Sequence, residues 1–463
     1  MKWTGGGRGP TMRGVTDPLD IFRKLLARDR EAVTEGLPAF RERLRARRAT
    51  YGGRDLVKTI RPKFLASSDL RHLDYTASVI TGACRRLADR VFDDPSLHAF
   101  IGMTEGERRL CALPARCPDP IAFARLDAFA TAEGFRYVEL NGEVPAGCGY
   151  GDVIAETFRE HPLVAAWAEA VGARTIATEP PVLDHLLLAW RAAGGGRKPV
   201  ILVTDYLDAA TLNEFEILVE RWRERGFECV LEDPRSLGFR DGRLWAKGLA
   251  IDLVYRRVLV NEYLDRENEV RALGDAVAAG AVVMVNPFRS KLLHKKVTFA
   301  LLHGDGLEDD WLTREERRVI RETIPWTCKV REAHVRGPDG SAVDLLPWAV
   351  GHRDELVLKP SDDYGGRGVT LGWTKSASEF ESALLGACSG DWVLQSRVGP
   401  LEEPYPMFEA GLDERPMTVD VDPYVHFGRV HGVLARLAAG AISNVTSGGG
   451  QVPIFYLPDE EST

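Results

Sequence analysis

Apolar residues recur at helical spacing through residues 18–50 and through "TASVITGACRRLADRVF" (76–92), which predicts amphipathic helices. The pattern then changes to period two. "IAFARLDAF" (121–129) and "FRYVELN" (135–141) read as strands, and "TAEG" (131–134) supplies a turn, so a hairpin is expected. Residues 152–194 return to helical spacing.

A second change comes at Pro199. "PVILVTDY" predicts a buried strand, "AATLNEFEILVERWRERG" a helix with its stop glycine, and "FECVLED" another strand. "FRDGRLWAKG" predicts a hairpin turning at Asp-Gly, and "VVMVN" (282–286) a further strand. "SKLLHKKVTFALLHG" (290–304) predicts one helix. "ELVLKP" (355–360) and "DWVLQSRV" (391–398) are strands, and the segment from Met417 is a series of short strands. The expected division is a tail at 1–17, a helical region with core strands at 18–198, a small parallel-sheet domain at 199–289, and a final portion at 290–463.

Composition narrows the class. The chain has 463 residues, 44% hydrophobic and 28% charged, with a net charge of −8. That is a soluble globular composition of several compact units, and it disfavours general nucleic-acid binding. No apolar run is long enough to span a bilayer, so no membrane partner is expected. The opening "MKWTGGGRGPTMRG" has no apolar core and is expected to be a tail rather than a secretory signal. The seven cysteines include no CxxC pair, which points to reduced thiols and a cytoplasmic location. Cys148 has no histidine beside it and reads as structural rather than nucleophilic. The basic run "RERLRARRATYGGR" is a solvated face. A homodimer is the base-rate expectation.

Two stretches carry candidate chemistry. In "LVLKPSDDYGGRGV" a strand delivers Lys359 and a glycine-rich loop follows at Gly365, Gly366 and Gly368. Such glycines let backbone N–H groups approach phosphate oxygens, and the lysine offers a point charge. The spacing is neither a P-loop nor a dinucleotide fingerprint, and a plain hairpin turn with a surface lysine fits it too. In the hairpin, alternation puts Tyr137, Glu139 and Asn141 on one face and Arg125 and Asp127 on the same side of the partner strand. Asp127, Glu139 and Asn141 then form an oxygen cluster suited to Mg²⁺, beside Arg125. Solvent-facing strand positions fit the same pattern equally well.

Together these stretches resemble the ATP-grasp ligases. An acid-x-Asn strand that precedes the lysine and glycine loop resembles the circularly permuted members, typified by the synthetase part of glutathionylspermidine synthase. The resemblance implies an α/β (α+β) ATP-grasp fold in permuted order, with a Rossmann-like pre-ATP-grasp domain in the middle. It implies ATP and Mg²⁺ as cofactors, with Asp127, Glu139 and Asn141 as metal ligands and Arg125 and Arg436 at the transferring phosphoryl group. Lys296 (Lys295 as second choice), Lys359, Gly365, Gly366 and Gly368 would meet the phosphates. Gln395 would lie beside adenine, Glu402 or Glu403 at the ribose, and Asn444 on a late loop. Asp420 and Asp422 are second-choice metal ligands, and His294, His426 and His431 are expected to be structural. Glu143 departs from the family pattern and is expected to alter the metal site or touch substrate. The implied activity is ADP-forming carbon–nitrogen ligation of a small-molecule or peptide carboxylate to an amine. A phosphotransferase is the alternative, and a nucleotide-binding regulator the third reading. Residues that choose the substrates are expected in the basic N-terminal region and around 252–263.

Overall fold

The computed structural model describes residues 17–363, 365–440 and 449–459. The expectations on Asn444 and on the tail at 1–16 lie outside these residues. The basic N-terminal stretch forms α1 (Pro18–Arg28) and α2 (Arg30–Ala46), which bury Phe22, Leu26, Val33, Phe40 and Leu44. Its arginines sit in surface ion pairs. Arg41 and Arg45 meet Asp55, Arg47 meets Glu160, and Arg48 meets Glu220. The expected amphipathic helix is longer than its pattern indicated: α3 spans Ser67–Asp93 and buries Leu73, Ala77, Ile80, Cys84, Leu87 and Val91 along one stripe.

β1 (Phe123–Thr131) and β2 (Gly134–Asn141) make the expected hairpin, with Thr131 opposite Gly134. Asp127 stands opposite Glu139, and Arg125 opposite Asn141. The register shifts between Asp127 and Ala128, so Ala128 pairs with Tyr137. This bulge overturns the expectation that Tyr137 shares a face with Glu139 and Asn141. Tyr137 is fully buried and its hydroxyl bonds Thr76 Oγ1 of α3 at 2.7 Å.

Three helices follow: α4 (Cys148–Arg159), α5 (Pro162–Val171) and α6 (Glu179–Ala192). The next segment contains β3 (Ile201–Thr204), α7 (Leu212–Glu224), β4 (Cys229–Glu232), β5 (Leu253–Arg256), α8 (Val260–Asp265) and β6 (Val283–Val285). Its sheet is wholly parallel in the order β6-β5-β3-β4. β5 was not among the expected strands. The Asp-Gly hairpin forms as expected, with Asp241 and Gly242 both at positive φ.

The single helix expected over 290–304 is broken. α9 (Lys291–His294) and α10 (Val297–Leu302) are separated at Lys295, whose backbone is extended. A small antiparallel sheet is built from β7 (Thr327–Lys329), β8 (Leu356–Pro360), β9 (Thr370–Leu371) and β10 (Trp392–Ser396), in the order β7-β10-β8-β9. The C-terminal strands are β11 (Glu402–Pro406), β12 (Glu414–His426), β13 (Arg429–Ala438) and β14 (Gly450–Val452). β12 and β13 run 13 and 10 residues rather than being short. They join the early hairpin in one sheet of order β14-β13-β12-β1-β2, with β11 paired to β12. Leu126, Tyr137, Val421 and Val433 of this sheet share a core with the apolar stripe of α3. Among the described residues no helix is long and apolar enough to cross a membrane.

Candidate active site

The large sheet, the β8–β10 sheet and the C-terminal ends of β3 and β5 enclose a cavity of about 730 Å³. Arg125, Asp127, Glu139, Asn141, Lys359, Gly365, Gly366, Gln395 and Arg436 all line it. Residues far apart in sequence thus meet at one cavity, and β12 and β13, laid beside the early hairpin, bring Arg436 to the same wall as Arg125 and Asp127.

The centre of that wall is an ion network. Arg125 donates from Nε to Asp127 Oδ1 at 2.8 Å and from a terminal nitrogen to Oδ2 at 3.1 Å. Asn141 Nδ2 donates to Asp127 Oδ1 at 2.9 Å, and Arg436 to Asp127 Oδ2 at 2.7 Å. Arg436 also bonds Asp420 through Nε at 2.8 Å and lies 2.8 Å from Asp422. Burial alone would raise the Asp127 carboxyl, but Arg125 and Arg436 outweigh it and hold that group well below the usual range. Burial raises Asp420 and Asp422 despite Arg436. Asp422 Oδ1 accepts from Ala128 N at 3.0 Å, which fixes the bulge beside Asp127.

Lys359 reaches in from β8 and donates to Gln395 Oε1 of β10 at 2.6 Å, while Gln395 donates to Thr327 Oγ1 at 3.0 Å. Burial pushes Lys359 down to about 8, and the neighbouring Glu139 offsets only part of that. Lys296 does not line the cavity. Its Nζ lies 3.6 Å from Glu139 and donates to the Asp363 carbonyl. Lys295, the second choice, instead bonds Gly102 O and Glu107. Gly365 and Gly366 face the cavity in left-handed backbone conformations that favour glycine. Gly368 also has positive φ but lies outside the lining, packed where a Cβ would come 2.7 Å from Pro360.

Other expectations are corrected. Glu143 does not touch the cavity. It is 1% exposed and is held by Arg256 at 3.2 Å, Lys291 at 3.2 Å and the Val260 N–H at 2.8 Å. Burial raises its pKa, but Lys291, His294 and Arg256 bring it down to about 2. Glu402 and Glu403 do not line the cavity either, and Glu403 pairs with Arg61 and Lys63. Of the substrate-choosing regions, the N-terminal arginines point elsewhere, whereas Tyr51, Arg257, Leu259 and Glu262 do line the cavity. His294, expected to be structural, lines it as well. Cys148 is buried at the start of α4, outside the lining, and burial raises its thiol well above the usual range.

At the parallel-sheet end the sequence pattern did not single out Asp205 or Glu214, and it covered Arg257 only as part of the 252–263 region. Asp205 follows β3, Glu214 lies on α7 and Arg257 follows β5. A signal was available, because ligands of parallel sheets gather at the C-terminal ends of strands. Glu214 accepts from Gly147 N at 2.8 Å and Gly149 N at 3.2 Å. Arg257 donates to Val144 O at 2.8 Å, and Arg125 to Ala146 O at 2.9 Å, so both arginines grip the loop after β2. Asn286, just beyond β6, ties that loop to β1 by donating to Phe123, Gly142 and Glu143 carbonyls and accepting from Phe123 N.

No protein-family model matches the chain. Among curated proteins it is similar to "Putative glutamate--cysteine ligase 2-2" of Frankia casuarinae, with 26% identity over 339 residues, covering 68% of this chain and 36% of that one. The chain therefore spans about a third of that relative's length. Among solved structures it is similar to a glutathione synthetase-like effector of Globodera pallida in the apo form, with a TM-score of 0.61 and 12% identity, covering 96% of this chain and 98% of that one. An ATP-grasp ligase solved with minimal precursor, Mg and ADP aligns with 52% of this chain and 90% of its own, at 14% identity; its TM-score of 0.27 carries no weight. What the solved structures bear out is a likeness of fold to the glutathione synthetase-like effector.

Proposed function

We propose that the protein is an ATP-dependent ligase that joins a carboxylate to an amine through an acylphosphate, releasing ADP and phosphate. The observation that carries this is the cavity in which Arg125, Arg436 and Lys359 gather with Asp127, Glu139 and Asn141. Phosphoryl transfer demands that charge on the phosphate oxygens be neutralised and that nucleophile and leaving group be held in line. Lys359 would take the nucleotide phosphates, and Arg125 and Arg436 the transferring group; Lys296, outside the lining, would act through Glu139, 3.6 Å from its Nζ. Gly365, Gly366 and Gly368 would close over the nucleotide and exclude water from the acylphosphate. Gln395 would face the base. In this reading the hairpin β1–β2 is the permuted acid-x-Asn element, and residues 199–289 are a Rossmann-like pre-ATP-grasp domain.

Mg²⁺ fits the oxygen donors of this cavity in a specific way. Among the described residues no group of three or more His, Cys, Asp or Glu is arranged to hold a metal ion. Asp127 is already filled by two arginines and Asn141. Glu139 and the Asn141 amide oxygen would hold the ion, with phosphate oxygens and water completing the shell, as Mg²⁺ prefers. Its chemistry there is charge neutralisation of the phosphates.

A screen of ADP release tests the reading, using carboxylates and amines singly and in pairs. Glutamate, cysteine and glutathione are the first probes, given the names of the similar proteins. A ligase releases ADP fully only with both partners and yields an amide. A phosphotransferase on the same scaffold would release ADP with one acceptor and yield a phosphorylated product. The double variant Glu139→Gln with Asn141→Ala is expected to abolish ADP release while keeping the thermal unfolding midpoint; near-normal turnover would remove the metal assignment.

A further inference from the structure

Four buried carboxylates line the cavity, and three are fully engaged. Asp127 takes two arginines and Asn141, Asp420 takes Arg436, and Glu214 takes two backbone N–H groups. Asp205 is different. It is 7% exposed, at the C-terminal end of β3, and accepts one hydrogen bond, from Tyr206 N at 2.8 Å. Among the described residues no cation lies within ion-pair distance of it. Arg257, 4% exposed and lining the same end, leaves its Nε without a hydrogen-bond partner. A buried carboxylate that accepts one hydrogen bond calls for a polar occupant that brings protons of its own.

We propose that Asp205 is a catalytic residue that takes the proton an ammonium substrate must lose before its nitrogen attacks the acylphosphate. This rests on the ligase reading above. The ammonium first gives one proton to the Asp205 carboxylate, which passes it on to water; the free amine then forms the C–N bond, the C–O bond to phosphate breaks with its electron pair leaving on phosphate, and the second nitrogen proton leaves with that phosphate. The surroundings suit the task. The charged groups facing Asp205 are Arg257 beyond β5, Glu262 on α8 and Asp208 on its own loop. Burial pushes its pKa up to about 7, against the pull of Arg257 and the Tyr206 N–H and with the help of Glu262 and Asp208. A carboxylate poised near neutral exchanges protons efficiently at working pH.

Hydroxylamine and methylamine separate this role from others. Hydroxylamine is largely neutral at pH 7 and needs no proton acceptor before attack, whereas methylamine is almost wholly protonated, like a lysine side chain. Glutamate and glutathione serve as carboxylates, with ATP and Mg²⁺. Wild-type protein is expected to form both hydroxamate and methylamide. Asp205→Asn should keep hydroxamate formation within about twofold and lose methylamide formation by about 100-fold, the size of a general-base contribution. The loss should shrink as pH rises, and Asp205→Glu should recover part of it. Equal loss with both amines, or loss with neither, overturns the inference while the ligase reading stands. Wild-type protein that uses hydroxylamine but not methylamine also overturns it. No hydroxamate from either carboxylate in wild-type protein removes the inference together with the ligase reading for these acids.

Discussion

Arg436 and Asp127 stand 309 residues apart in sequence and 2.7 Å apart in space. The contact joins β13 to β1 across β12, and Arg436 is shared with Asp420 and Asp422. One guanidinium therefore touches three buried carboxylates and shares the first of them with Arg125. Arg436→Gln should cut ADP release by at least about 100-fold, as removal of a single transition-state donor does. Stability should fall too, by about 3 kcal/mol, because the acids lose their counter-charge. Arg436→Lys keeps the charge but not the fork, and should restore stability better than turnover. Turnover assays paired with denaturant unfolding check both. Near-normal ADP release in Arg436→Gln would remove this residue from the reacting phosphate.

Lys359 gives a pH signature. Its folded-state pKa is depressed to about 8, chiefly by burial, so in the free protein the ammonium charge is present below that value and is lost above it. ATP affinity should thus weaken as pH rises from 7 to 9.5, by about tenfold for each unit above the pKa. Lys359→Arg, charged throughout, should show a flat profile, and Lys359→Met should bind weakly at every pH. Calorimetric titration of ATP across this range distinguishes the three.

Local pattern made the hairpin legible through its period-two alternation and two-residue turn, but that turn alone would set Asp127 opposite Val138; the extra residue of the bulge brings Asp127 opposite Glu139 and Arg125 opposite Asn141. The bulge at Asp127 was hidden, because one extra strand residue leaves the alternation nearly unchanged while reversing Tyr137. β5 escaped because Arg256 and Arg257 look like surface residues in sequence, yet both are buried. Their partners, Glu143 and the loop carbonyls after β2, lie more than a hundred residues earlier, beyond any local signal. The break at Lys295 was likewise invisible, since the apolar spacing of 290–304 runs on through it; tertiary bonds to Gly102 O and Glu107 hold that lysine. Sequence order paired with a known family singled out residues that line one side of the cavity. The parallel-sheet side, with Asp205 and Glu214, carries no short motif.

Glu143 shows what such hidden partners contribute. Its side chain is 0% exposed and sits between Arg256 and Lys291, both also 0% exposed. It binds Val260 N as well, so it locks the loop after β2 to the parallel-sheet segment at the start of α8. Removing one partner of a buried ion group leaves the others uncompensated, so Glu143→Ala should destabilise the fold by about 3–5 kcal/mol. Its pKa is depressed to about 2 in the folded chain, below the ordinary 4.5 of a glutamate side chain. The folded state therefore binds its proton less readily, and this stabilisation is fully present above the unfolded value and is lost as pH falls through the folded one. Between about pH 4.5 and 2 the wild-type chain should lose stability faster than Glu143→Gln, which has no proton to gain at that site. Urea unfolding of both chains across that window measures the difference. Parallel pH dependences would mean that Arg256 and Lys291 draw their compensation from other acids, of which Glu107 and Asp362 already touch Lys291.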